Sequence, residues 1–184
     1  MLAAYREIAE RGFEGLRTRE VAAAAGVNIA TLHYYFPTKE SLIQAVLEHA
    51  MGRFRTTLAP SGSPSDQLRN YLRAVRKLLL DEPELRAVMA ELALRSVRDR
   101  STGRIMNAMY DTWHTTVRGL LRRAVKEGGL RAELDSDAVA ALIVATLTSM
   151  TLPVMSDPNR GDQALRQLER WLGLNRRVAT QATD

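Results

Sequence analysis

The chain has 184 residues, 46% of them hydrophobic and 26% charged, which is ordinary for a soluble globular protein of one compact domain plus a small appended one. It contains no cysteine, so disulfides, thiolate metal sites and cysteine nucleophiles are excluded. The formal net charge is +5, but residues 1–55 hold seven Lys and Arg against six Glu, so charge alone does not nominate the N-terminal region as a nucleic-acid binder. No basic stretch followed by an apolar one begins the chain, so we expect a cytoplasmic protein.

The first 24 residues predict two helices. Residues 2–11 have helical periodicity and reach Gly12, where we expect the first helix to end, and Phe13 is expected to anchor a small core. Thr18 is the predicted N-cap of a second helix over residues 19–24.

A tight turn and a third helix follow. Gly26 permits a sharp reversal because glycine tolerates positive φ, and Asn28 is a good N-cap for a helix over residues 28–34. Two short helices joined in this way form a helix-turn-helix, whose second helix lies in the major groove of DNA.

The rest of the chain predicts further helices and no strand. Pro37 and Thr38 end one helix and cap the next, which runs from residue 39 to about 57, and the Pro- and Ser-rich residues 59–64 form a linker. Five helices are predicted beyond it: residues 65–80, 84–98, 104–126 after a break at Gly103, 138–152, and 162–176. We therefore predict an all-α protein with a helix-turn-helix domain over residues 1–50 and a second helical domain over residues 51–184.

The helix over residues 138–152 is apolar nearly all round, so a membrane span must be considered. Five hydroxyl-bearing residues and Pro153 interrupt the uncharged run. A helix buried on most sides is the better interpretation, and no membrane association is predicted.

Three motifs carry a resemblance to a known family. They are A-E-R-G-F-E-G over residues 9–15, T-R-E-V-A-A-A-A-G-V over residues 18–27, and T-L-H-Y-Y-F-P-T-K-E-S-L over residues 31–42. In these residues the chain resembles the tetracycline-repressor (TetR) family of bacterial transcription regulators. The motifs cover about the first 50 residues; beyond them the resemblance is one of length and helical layout. It implies a DNA-binding domain followed by a helical domain for effector binding and dimerisation.

The resemblance places the N-terminal end of the recognition helix against base edges. Ile29 and Ala30 have apolar side chains suited to thymine methyl groups, whereas His33 is suited to polar readout. Hydroxyl and cationic side chains nearby suit phosphates, and Tyr35 either joins them or packs beside Phe36. The predicted DNA-binding residues are Arg17, Thr18, Asn28, Ile29, Ala30, Thr31, His33, Tyr34, Tyr35 and Lys39.

One DNA-binding domain makes few contacts with DNA, so we expect a homodimer that binds two half-sites of a palindromic operator about 34–36 Å apart. The last two helices are the predicted interface, as a four-helix bundle across a two-fold axis, and the resemblance implies the same. The alternative is that both helices complete a monomeric core. The predicted interface residues are Ala141, Val144, Ala145, Thr148, Leu165, Leu168, Trp171 and Leu172.

The middle helices are rich in methionine and aromatic residues, which make adaptable apolar walls. The resemblance implies an effector cavity here, for a largely apolar small molecule held by few polar groups. The alternative is an ordinary core. The predicted ligand-binding residues are Tyr71, Met89, Met106, Met109, Tyr110, Trp113 and His114.

Enzymatic function is not predicted. The sequence has no G-x-G-x-x-G, no G-K-[ST] phosphate loop, no H-E-x-x-H and no G-x-S-x-G, and its three histidines are scattered. We expect no cofactor and no metal. The predicted function is a DNA-binding regulator, a repressor released by a small apolar ligand. The alternative is a DNA-bound docking scaffold controlled by a protein partner.

Overall fold

The computed structural model describes residues 1–55, 57, 61–152 and 159–174. Over these residues it consists of helices and contains no strand, as predicted. In chain order the helices are α1 (Leu2–Gly15), α2 (Thr18–Ala24), α3 (Ile29–Tyr35), α4 (Lys39–Arg55), α5 (Pro64–Asp81), α6 (Pro83–Ser96), α7 (Arg100–Lys126), α8 (Ser136–Ser149) and α9 (Asn159–Trp171).

Helix α1 does not end at Gly12, as the sequence predicted, but continues to Gly15 across a kink. Gly12 adopts φ 68°, ψ 178° at the kink, a left-handed φ that glycine takes without steric cost. The kink turns the last residues of α1 and buries Phe13, which is 5% exposed, as the predicted anchor.

The turn between α2 and α3 has the predicted geometry. Gly26 has φ 67°, and the Val27 N–H donates to the Ala22 carbonyl at 3.0 Å. Asn28 caps α3, its Oδ1 accepting from the Thr31 N–H at 2.7 Å. The predicted cap of the next helix is also confirmed, because Thr38 Oγ1 accepts from the N–H of Ser41 at 3.0 Å.

Two predicted helix starts are wrong. Thr18 is the first residue of α2 rather than its cap, and Arg17 occupies the cap position without a side-chain capping bond. Helix α7 begins at Arg100, because the Asp99 carboxylate accepts from the Thr102 N–H at 2.8 Å, and Gly103 lies inside the helix. That hydrogen bond and one from Ser101 hold the pKa of Asp99 below its usual value.

Helix α7 is central to the C-terminal part. It packs against α5, α6 and α8, while α9 packs on α8 and α1 lies along α6. Leucines from three helices, Leu72, Leu92 and Leu121, are fully buried in this core, together with Ile143 of α8.

Some predicted boundaries lie outside the described residues, namely linker residues 59 and 60, Pro153 and the end of the last helix at 176. Within the described residues, Ser63 caps α5 through its side chain, and α8 ends at Ser149 rather than at residue 152. Over the part of the chain that the structure describes, no helix combines the length and apolarity needed to cross a membrane.

The Gly12 kink yields a stability prediction. We expect Gly12→Ala to lower the free energy of unfolding by about 1–3 kcal/mol, because alanine is strained at positive φ. Its Cβ would also lie 2.9 Å from the Glu91 carboxylate. Chemical denaturation measures the change.

The matched control is Gly119→Ala in α7, where an added Cβ meets only the Arg123 side chain at 3.7 Å. This change should stabilise by about 0.5–1 kcal/mol, since alanine is the better helix former. Equal stability of the two variants would contradict the assignment of strain to Gly12.

Candidate functional site

Helix α3 exposes nearly all of its surface. Only Leu32 is buried, whereas Ile29, Ala30 and His33 are exposed and Thr31 is partly buried. The capping residue Asn28 is exposed as well. A short helix held by one buried leucine and a side-chain cap presents the rest of its side chains to a partner.

Two tyrosines end this surface. Tyr34 is 80% exposed and Tyr35 is 69% exposed, and their rings meet edge to face with centroids 5.2 Å apart. The alternative that Tyr35 packs beneath the helix beside Phe36 is wrong, because Phe36 alone of the two turns inward. Exposed aromatic pairs of this kind offer hydroxyl groups and flat apolar faces to a ligand.

The two predicted cationic contacts are engaged within the chain. Arg17 Nη1 donates to the Glu14 carbonyl at 2.6 Å, and Lys39 Nζ donates to the Phe13 carbonyl at 3.1 Å. Both lie at the C-terminal end of α1, where the helix dipole favours cations, and Lys39 shares the Phe13 carbonyl with the Leu16 N–H. Sequence reasoning missed these bonds.

Phe13 joins the N-terminal helices to α6. Its N–H donates to Glu91 Oε2 at 3.2 Å, and the Arg95 guanidinium lies 5.3 Å from its ring centroid. Because Lys39 of α4 bonds the carbonyl of the same residue, Phe13 connects three helices.

A second connection joins α4 to the start of α6. Arg53 forms an ion pair with Glu82, its Nε lying 3.1 Å from Glu82 Oε2. Tyr5 of α1 lies beside this pair, and burial together with the charges of Glu82 and Glu84 raises its pKa to about 12. The Tyr5 hydroxyl is buried and has no hydrogen-bond partner among the described residues.

A cleft of about 260 Å³ opens between α4, α5 and α7. Three predicted ligand-binding residues line it: Tyr71, Met109 and Trp113. Seven lining residues were missed by sequence reasoning: Met51, Phe54, Arg55, Ile105, Ala108, Thr112 and Thr116. Met51, Phe54 and Arg55 share one turn of α4, a helix to which the sequence analysis assigned no ligand-binding residue.

The other four predicted ligand-binding residues do not line the cleft. Met89 and Met106 are buried in the core between helices. Tyr110 lies behind the cleft, with its ring centroid 5.9 Å from that of Trp113, and His114 Nε2 lies 3.3 Å from the Asp137 carbonyl oxygen. These four residues lie on the middle helices as predicted, but they contact the core or neighbouring residues instead of lining the cleft.

The predicted interface helices keep an apolar face uncovered. Of α8, only Ala140, Ile143 and Leu147 are buried, so the expectation of a helix buried on most sides is wrong for a single chain. Of the predicted interface residues, Ala141, Ala145 and Trp171 are exposed, and Val144, Thr148 and Leu172 are half-buried. Leu142, exposed on the same helix, was missed.

Two predicted interface residues require correction. Leu165 and Leu168 are buried in the core of their own chain, because α9 packs on α8 through the leucine side of its stripe. Trp171, 69% exposed, lies away from that side.

These features define a class of protein, in which a helix-turn-helix with an exposed second helix precedes a helical domain with an apolar cleft. Residues 1–46 match the family described as "Bacterial regulatory proteins, tetR family", and residues 58–180 match "Tetracyclin repressor-like, C-terminal domain". The chain therefore belongs to the TetR family of DNA-binding transcriptional regulators, which its sequence motifs had indicated.

Known proteins resemble the chain over most of its length. The nucleoid occlusion factor SlmA of Sodalis glossinidius is 29% identical over 143 residues, 76% of this chain and 72% of that protein. The HTH-type transcriptional regulator UidR of Escherichia coli K12 is 24% identical over 170 residues, 89% and 82% of the two chains. The crystal structure of AibR in complex with isovaleryl coenzyme A and operator DNA has the same fold, with a TM-score of 0.70 and 20% identity over 91% of this chain and 93% of that one.

The environment of Tyr5 yields a pH prediction. Its folded pKa of about 12 lies above the ordinary value of 10, so its contribution to stability is complete below pH 10 and is lost as pH rises toward 12. We expect Tyr5→Phe to keep full stability at pH 7, because the lost hydroxyl had no partner, and to lose less stability between pH 10 and 12.

Denaturation at a series of pH values measures this difference. Tyr34→Phe is the control, since Tyr34 lies exposed on α3 and should follow the parent protein throughout. An alkaline profile unchanged by Tyr5→Phe would contradict the prediction.

Proposed function

We propose that this protein is a cytoplasmic homodimeric repressor that binds a palindromic operator through α3 and is released when a small apolar molecule enters the cleft. Helix α4 is the observation that carries the proposal. Lys39, at its start, donates to the carbonyl of Phe13, the residue that connects α1, α4 and α6. Met51, Phe54 and Arg55, at its end, line the cleft. One continuous helix therefore connects the two sites.

The proposed DNA contacts follow the exposure of α3. Ile29 and Ala30 pack on thymine methyl groups and His33 reads a base edge, with Asn28 at the same end of the helix. The tyrosine pair and the hydroxyls of Thr18 and Thr31 bind phosphate, and Arg17 and Lys39 add positive charge beside them. Those phosphate contacts position the protein without reading sequence.

The exposed face of α8 and α9 supports dimerisation. Ala141, Leu142, Ala145 and Trp171 offer an apolar surface of small residues and one large ring, which suits close helix packing across a two-fold axis. A dimer doubles the number of base and phosphate contacts. The division into residues 1–50 and 51–184 is part of this proposal, with α4 crossing the boundary.

The operator is released if the ligand-bound conformation of α4 no longer places two α3 helices at the operator spacing. Ligand and operator then weaken each other's binding, and the size of this effect is the coupling free energy between the two sites. AibR, of the same fold, was solved with both isovaleryl coenzyme A and operator DNA, which supports a ligand and DNA acting on one scaffold.

A second candidate function is the docking scaffold. Leu94 and Val97 near the end of α6 are 66% and 84% exposed, and the related SlmA is a nucleoid occlusion factor by name. A protein partner covering these two residues would control the DNA-binding domain without a small molecule.

Selection of bound duplexes from a random DNA pool tests the main proposal. We expect a palindromic motif, and we expect His33→Ala to flatten preference at one position per half-site by about 1–3 kcal/mol. Tyr34→Phe, the control, should weaken all sequences alike because it removes a phosphate contact. Position preferences unchanged in His33→Ala would remove its base-reading role.

Molecular mass in solution tests the dimer. A charged side chain at Leu142 would be buried unpaired across the two-fold axis, so Leu142→Arg should yield a monomer with weakened operator binding. Val97→Arg, equally disruptive of an exposed apolar site on α6, should keep the dimer mass. The scaffold would gain support if Val97→Arg alone abolished regulation in cells while leaving operator binding intact.

A further inference from the structure

The cleft has two chemically different zones. Its deep wall consists of Phe54, Tyr71, Met109 and Trp113, all buried, with the Phe54 and Trp113 ring centroids 4.8 Å apart. Its rim carries side chains in contact with solvent, Arg55 among them. A ligand that satisfies both zones is apolar at one end and polar at the other.

The rim has a definite charge. Arg55 is the one charged residue among the ten that line the cleft, and no acidic side chain of the described chain pairs with it. Other arginines of this region are paired, Arg53 with Glu82 and Arg76 with Asp162. An unpaired guanidinium at the mouth of an apolar cleft favours an anion and disfavours a cation.

The deep wall adds a polar residue but no charge, because Tyr71 lines the cleft there. The Tyr71 hydroxyl has no hydrogen-bond partner among the described residues, and burial alone raises the pKa of this phenol to about 12. Tyr71 therefore stays neutral, and Arg55 remains the one charge among the described residues that line the cleft. The Thr112 hydroxyl, in contrast, already donates to the Ala108 carbonyl at 2.7 Å.

We propose that the effector is an amphipathic monocarboxylate, with an apolar body against Phe54 and Trp113 and a carboxylate bound by Arg55. This inference rests on the proposed function, because it takes the cleft as the effector site. The volume of about 260 Å³ is larger than the roughly 150 Å³ that holds one benzene ring and smaller than most drug-sized pockets. A medium-chain or aryl acid has this size.

Three probes share an eight-carbon chain and differ in the charge of the head group: octanoate, 1-octanol and octylammonium. They test whether the cleft prefers an anion. Calorimetry of the unmodified protein should give octanoate an affinity about tenfold above those of the other two, the size of one charge-assisted hydrogen bond. Trp113 becomes the single tryptophan in Trp171→Phe, so a change in its fluorescence places the bound probe in the cleft.

Arg55→Gln separates charge from shape. It should reduce octanoate affinity about tenfold and leave 1-octanol binding unchanged, which also shows that the cleft is intact. Arg98→Gln, an exposed arginine with the same loss of charge, is the control and should bind octanoate as the parent does.

Each outcome bears on the proposal. Equal affinity for octanoate and 1-octanol, preference for octylammonium, or no binding of any probe would overturn the carboxylate assignment. Octanoate preference that Arg55→Gln leaves intact would overturn it as well. Operator binding is measured in parallel. If octanoate binding depends on Arg55 but leaves operator affinity unchanged, the release mechanism proposed above is wrong, while the carboxylate assignment of the cleft stands.

Discussion

The attachment of the DNA-binding helices to the rest of the molecule depends on the peptide group and ring of Phe13. Its N–H is held by Glu91, its ring lies beneath Arg95, and its carbonyl accepts from Lys39, so α1, α4 and α6 meet at one residue. The arrangement requires the positive φ of Gly12, because only that kink turns Phe13 from the axis of α1 toward α6. A glycine conformation thereby determines how the end of α1 meets α4 and α6.

The joint at Phe13 acts together with helix α4, which runs from Lys39 to the cleft. The Arg53–Glu82 ion pair ties the far half of α4 to the beginning of α6. A shift of the α4 end that lines the cleft therefore strains both connections to α6. On our proposal these contacts between α1, α4 and α6 have two alternative conformations. Ligand binding and DNA binding both shift the equilibrium between them. A coupling of one to three kcal/mol is typical for such linkage, and the few hydrogen bonds at the joint are of that size.

Local chemistry was predictable from sequence, and tertiary neighbours were not. Asn28 and Thr38 cap helices as predicted because capping involves residues three apart. The bond from Lys39 to Phe13 spans 26 residues and has no local signal. Periodicity placed Leu165 and Trp171 on one stripe, yet α8 covers only the leucine. The cleft was predicted in smaller part, with three of its ten lining residues, for the same reason. Met109 and Trp113 of α7 were predicted, whereas the role of Phe54 depends on α4, which brings its ring to 4.8 Å from that of Trp113.

The charges of the N-terminal helices explain why one DNA-binding domain alone is insufficient for tight DNA binding. Residues 1–55 carry a net charge of +1, and most of their cations have internal partners. Arg11 lies 2.6 Å from Glu20, Arg17 and Lys39 bond the carbonyls that end α1, and Arg53 pairs with Glu82. With a net charge of only +1, the N-terminal helices displace few counterions from DNA, so the sequence-independent part of the affinity is small. On our proposal, discrimination between DNA sequences comes from the exposed side chains of α3, and tight binding comes from two such helices held at a fixed distance. On our proposal, the uncovered apolar face of α8 and α9 and the weak charge of the N-terminal domain have a common explanation: the protein binds DNA as a dimer.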